Sequence, residues 1–112
     1  MTDNAWQVFQ VSDLMTKVEG TEPRFFEYLR VSTISSAIYR LPAGAKDMQA
    51  PHLEDEVYVV VEGRARLRVD DKEHQISRGT VLFVRATAEH SFFDIEEDLT
   101  VLAFFGASDQ LS

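Results

Sequence analysis

Apolar and polar positions alternate along much of this chain with the period of a strand. Residues 64–69 are the clearest case, with Arg64, Arg66 and Arg68 on one face and Ala65, Leu67 and Val69 on the other. Just before them, residues 57–61 form a β-branched run that is stopped by Gly63, the mark of a well-buried strand. Further strands are expected over residues 24–30, 31–41, 74–77, 81–84, 90–95 and 99–105. Turns fall at Pro42 to Gly44, at Asp70 to Glu73, at Arg78 and Gly79, and at Glu96 to Asp98. Turns about every 8 to 12 residues are the spacing of a sandwich or barrel. The N-terminal part differs. Trp6, Val8, Phe9 and Val11 suggest a short strand, and Ser12 and Asp13 offer an N-cap for a helix over roughly residues 13–18, closed by Gly20. The pattern predicts one all-β domain over residues 1–112, with a short N-terminal helix and a frayed tail over residues 107–112.

Two stretches depart from plain strand chemistry. In the first, residues 44–63, the polar group His52, Glu54 and Glu56 leads directly into the β-branched run. Imidazole and carboxylate are expensive to bury uncompensated, and a metal ion compensates both. In the second, residues 79–94, an apolar strand ends in a polar turn and His90 opens the next strand. Paired in a barrel, the two stretches would bring His52, Glu56 and His90 to one inner point.

These stretches resemble the paired motifs of the cupin superfamily, small jelly-roll β-barrels that usually hold one metal. In the first motif Glu56 and Gly63 keep the family's six-residue spacing, and His52 matches the second His. In the second motif Gly79, His90 and Asp94 match in register, Asp94 replacing an Asn. Ala50 stands at the position of the first His, and Arg85 and Thr87 stand at the Pro and Gly of the second motif. The resemblance implies an all-β, single-domain cupin jelly-roll barrel. It also implies one divalent transition metal (Fe, Mn, Ni or Zn) on His52, Glu56 and His90, with Gln49 or Asp47 near the vacant position. Two His and one carboxylate would leave open positions on the metal. The expectation is a mononuclear enzyme of dioxygenase or isomerase type acting on a small organic molecule, with Glu54 or Tyr58 as acid–base group. The alternative suggested by Ala50 is a non-catalytic barrel that binds a small molecule, or a dimeric structural module, with a vestigial metal site. Members of the superfamily are often homodimers, and the same is expected here.

Other polar residues carry weaker signals. Glu54 shares the parity of His52 and Glu56, yet points outward if the strand is bulged there. Tyr58 shares parity with Glu56, and Phe92 and Asp94 with His90, so these three could line a cavity. His74 follows a charged hairpin and reads as a surface residue. The row of three arginines is either an anion-binding stripe or a solvent face. Phe83, Phe93, Phe104 and Phe105 read as core or interface aromatics.

Composition narrows the partners. With 11 Lys and Arg against 19 Asp and Glu, the net charge is −8, which disfavours nucleic acid and membrane surfaces. There is no Cys, so neither a disulfide framework nor a thiolate metal site is available. A polar N-terminus without the regions of a signal peptide, and no apolar run long enough to span a membrane, fit a cytoplasmic protein.

Overall fold

The computed structural model describes residues 5–47 and 53–107. Gln49 and His52, both expected as metal ligands, lie outside the described residues, as does the tail from residue 108. The described elements are α1 (Val11–Thr16), β1 (Arg24–Arg30), β2 (Ile34–Leu41), β3 (Glu56–Val69), β4 (Lys72–Ser77), β5 (Val81–Val84) and β6 (His90–Gly106). Neighbouring strands are antiparallel in the order β1-β2-β6-β3-β4, and β5 pairs with β3 from Glu56 to Val59.

Two pairs of expected strands are in fact single strands. β3 runs unbroken through Gly63, and β6 runs unbroken through Glu96 to Asp98. The two lie side by side from Glu56 opposite Phe105 to Val69 opposite His90, with register shifts near Glu62 and Arg64. The charged residues that suggested a turn are on the outer surface. Arg64 Nε lies 2.7 Å from Glu96 Oε1, and Arg40 reaches Asp98 at 2.8 Å.

The shifts change which side chains face inward. Before Gly63 the buried residues of β3 are Glu56, Tyr58 and Val60; after it they are Ala65 and Leu67. β6 makes the same switch, from His90 and Phe92 to Ile95, Leu99 and Val101. A strand's side chains alternate with period two, so an inner face that changes parity requires an inserted residue. Gly63 (φ 98°) and Asp94 (φ 48°) adopt the left-handed conformations that allow it. The inner face then closes on one core that includes Tyr39, Tyr58, Leu67, Phe92, Val101 and Phe105.

The outer face of β2 is covered as well, which is why residues 35–39 are all buried. Leu14 and Val18 pack there on Ile38, with Phe26, Tyr28 and Leu102 around them. The helix begins two residues earlier than expected, without a side-chain cap, and Ser12 and Asp13 fall inside its first turn. The segment before it is not a strand. Phe9 instead packs edge-on against Tyr28 at 4.8 Å, and Trp6 stays 76% exposed. Among the expected core aromatics, Phe105 is buried whereas Phe83 is 63% exposed on β5.

Candidate metal centre

Glu56 opens β3 and His90 opens β6, so the antiparallel ladder sets them at opposite ends of the same strand pair. The ladder places His90 opposite Val69, and Glu56 lies 13 residues back along β3, roughly 43 Å of extended chain. Yet His90 Nε2 lies 3.2 Å from Glu56 Oε1, and both side chains are only 1% exposed. The curling of the sheet at its bulges brings these ends together and closes the inner space around them.

Among the described residues, three groups contact the imidazole. His90 Nδ1 donates to the Ala88 carbonyl at 3.0 Å, which leaves Nε2 facing Glu56 and the Tyr58 hydroxyl, 3.1 Å away. An unprotonated Nε2 accepts from Tyr58, and a protonated one donates to Glu56. Burial pulls the His90 pKa down, but the hydrogen bonds to Glu56 and Ala88 and the charges on Glu56 and Asp47 together outweigh it. The net displacement is upward from the ordinary value of 6.5. Tyr58 is 1% exposed and packs edge-on against Phe92, ring centroids 5.1 Å apart, so aromatic rings flank the pair on its inner side.

The Ala88 carbonyl is itself held in place. It belongs to a tight turn in which the Ala88 amide donates to the Arg85 carbonyl and Thr87 takes a left-handed φ of 67°. Asp55, directly before Glu56, accepts the Ala86 amide at 2.7 Å and so ties this turn to the start of β3. Arg85 and Thr87, which replace a Pro and a Gly of the second motif, thus still form a turn that presents a carbonyl to His90.

The remaining expected residues sit elsewhere. Glu54 is half-buried in a surface cleft of about 250 Å³ with Phe25, Arg30 and Phe105, a cleft that none of Glu56, Tyr58 and His90 lines. Asp94 is exposed at the β6 bulge, contrary to its parity, because the left-handed residue breaks the alternation. His74 is exposed, its Nδ1 2.6 Å from the Gln75 carbonyl. Arg64 and Arg68 are exposed and engage Glu96 and Glu73, a solvent face rather than an anion site. Asp47, expected near the vacant ligand position, hydrogen-bonds protein groups with both carboxylate oxygens. Its Oδ1 accepts the Tyr39 hydroxyl at 2.8 Å and its Oδ2 accepts the Phe92 amide at 2.9 Å. Tyr39 and Asp55 carried no signal in the sequence, since their partners are 8 and 31 positions away and unrelated by pattern.

Among the described residues, no three His, Asp or Glu side chains cluster closely enough to hold a metal. The described half of the donor set does suit one. An imidazole nitrogen and a carboxylate oxygen face each other in a buried setting, and the other imidazole nitrogen is tied to a carbonyl, as in metal-ligating histidines. No helix among the described residues is long and apolar enough to cross a membrane.

Comparison with known proteins places this arrangement in a family. An uncharacterized protein of Streptomyces coelicolor is 38% identical over 99 residues, which span 88% of this chain and 94% of that one. The fold is similar to that of a protein from Thermus thermophilus, with a TM-score of 0.77, 17% identity, and coverage of 91% of this chain and 98% of that one. It is also similar to an RmlC-like cupin family protein of Methanocaldococcus jannaschii with a double-stranded β-helix fold (TM-score 0.73, 11% identity, 96% and 94% covered). The DMSP lyase DddQ of Ruegeria pomeroyi gives a TM-score of 0.73 at 12% identity, where 81% of this chain spans 50% of that one. At these identities the structures establish the jelly-roll fold. The cupin domain profile matches residues 37–105, which carry β3 through β5, Glu56, His90, more than half of β2 and nearly all of β6. The chain therefore belongs to the cupin family.

Proposed function

We propose that this cupin is a mononuclear metal-dependent enzyme acting on a small organic molecule, with Glu56 and His90 as two of its metal ligands and His52 as a third. The observation that carries the reading is the buried pair itself, a carboxylate and an imidazole 3.2 Å apart with side chains 1% exposed. Buried ionisable groups of this kind cost stability unless they are compensated, so a barrel interior that retains them is a candidate for chemistry. When bound, a divalent transition metal would supply Lewis-acid or oxygen-activating chemistry.

The chain's own groups supply the rest. The Ala88 carbonyl holds the proton on His90 Nδ1 and keeps Nε2 directed inward. Tyr58 is the acid–base candidate, because its hydroxyl touches His90 Nε2. Glu54 is the weaker candidate, since it lines a separate cleft. Phe92 and Tyr58 keep bulk water from the inner side of the pair.

Metal content per chain, measured on untagged protein purified without chelator and again after soaking in cobalt(II), tests the reading. Near-stoichiometric metal in the wild type, lost in His90→Ala and Glu56→Gln, would support it. Protein that is metal-free and takes up none would overturn it. The barrel would then be a non-catalytic binder, to be screened for ligand-induced thermal stabilisation.

A further inference from the structure

We infer that Asp47 is a positioning residue for His90, acting through the backbone of β6. The argument starts from an edge. β2 ends at Leu41, opposite Leu99, so among the described strands none continues along that side of β6 from Asp98 back to His90. The irregular segment that follows β2 takes over the missing partner's work. The Gly44 amide donates to the Ile95 carbonyl at 3.0 Å, the Ala43 amide donates to Asp98 Oδ1 at 2.8 Å, and Asp47 Oδ2 accepts the Phe92 amide at 2.9 Å.

The last of these ties is the one nearest His90, two residues away on the same inner face. It is also a side-chain tie, and it is braced, because the Tyr39 hydroxyl donates to the other oxygen of the same carboxylate at 2.8 Å. Tyr39 lies on β2 and is 9% exposed, so it anchors Asp47 to the core. The chain of contacts therefore runs from β2 through Tyr39 and Asp47 to Phe92, and from Phe92 along the strand to the imidazole. On its far side His90 is held by the Ala88 carbonyl. Asp47 thus secures the strand on the side of His90 that the Ala88 carbonyl does not reach.

Both carboxylate oxygens of Asp47 are used in positioning. An amide at the same place can keep the geometry, its oxygen accepting the Phe92 amide and its NH2 donating to the Tyr39 oxygen. Alanine cannot. That difference separates positioning from a general contribution to stability.

The test compares Asp47→Ala and Asp47→Asn with the wild type in metal-free protein, reading the His90 ring resonances and the hydrogen exchange of the Phe92 amide. D47A should shift the His90 ring signals and speed Phe92 exchange, and D47N, which keeps both hydrogen bonds but loses the charge that His90 feels, should restore the Phe92 exchange toward wild type. D47A leaving both readouts in place, or D47N speeding Phe92 exchange as much as D47A does, would overturn the inference. Should D47A fail to fold, Tyr39→Phe removes the brace alone and should speed Phe92 exchange; unchanged exchange in that variant would equally overturn it. The metal readout rests on the proposed function: cobalt(II) affinity should fall roughly 10- to 100-fold in D47A and stay near wild type in D47N. If the wild type takes up no metal, the metal reading fails while the exchange of the Phe92 amide still decides the role of Asp47.

Discussion

Gly63 and Asp98 cross so closely that no other residue fits at position 63. A Cβ added to Gly63 would stand 2.7 Å from Leu99 Cα and closer still to the Asp98 carbonyl oxygen. The backbone there has a φ of 98°, a conformation that L side chains rarely adopt. This contact marks the place where β3 changes its inward parity against β6. The glycine of the first motif is therefore a bulge inside a long strand and not the end of a strand.

Gly63→Ala should be among the most destabilising single changes in the chain. Strain and overlap act together on backbone atoms that cannot rotate away, so a loss of about 3 kcal/mol or more is expected. Urea unfolding checks this. A variant within experimental error of wild type would mean that the two strands can separate at this point without cost.

The Glu56–His90 pair makes a second prediction, independent of any metal. His90→Ala leaves the buried Glu56 without its imidazole neighbour and should cost about 3–5 kcal/mol in metal-free protein. Replacing both residues with leucine should cost less than the sum of the single changes, since neither charge is then buried alone. A double-mutant cycle by chemical unfolding measures the coupling, and strict additivity would contradict a direct interaction.

Tyr39 makes a prediction at alkaline pH. Its hydroxyl is held above the ordinary value of 10.0, first by burial and then by the charge and hydrogen bond of Asp47. A folded state that holds this proton more tightly than the unfolded chain is stabilised fully below pH 10, and the contribution is lost as pH rises above it. The stability difference between wild type and Tyr39→Phe should thus be constant from pH 7 to 9 and shrink above pH 10. Thermal unfolding across that range reads the gap, and a gap that widens with pH would reverse the assignment.

Arg64 supplies the contrasting case. Its ion pairs with Glu96 and Glu97 lie on the surface, with side chains more than half exposed. Exposed pairs of this kind are screened by solvent and salt. Arg64→Ala should leave the unfolding midpoint unchanged within error, and a large drop would show that this face is covered by something in solution.

Most of the strands were legible from alternation and turn residues, because both are local properties. Residues 24–30 and 81–84 coincide with β1 and β5. The errors share one cause. Glu96 to Asp98 looked like a turn because three consecutive charges rarely sit in a strand, but here Arg64 and Arg40, from distant parts of the chain, draw those charges outward. Asp94 looked inward-facing because parity was counted across a bulge that only the pairing with β3 reveals. Asp47 was noticed for its place near a vacant ligand position, and the structure adds its hydrogen bonds to Tyr39 and Phe92, which no spacing rule connects to it.

By itself the sequence determined the kind of fold and the strand-rich order of elements, and it marked Glu56 and His90 as candidate ligands. Each of these follows from residue type and short-range spacing. Only the tertiary structure decided that Glu56 and His90 touch, since they stand at opposite ends of one antiparallel pair and meet through the curl of the sheet. It also decided which polar groups orient the imidazole. Those are the Ala88 carbonyl and the Tyr58 hydroxyl, with Asp47 inferred to act beside them. Contacts of this sort depend on the path of the whole barrel, and bulges at single residues such as Gly63 and Asp94 change that path by altering which face of a strand turns inward.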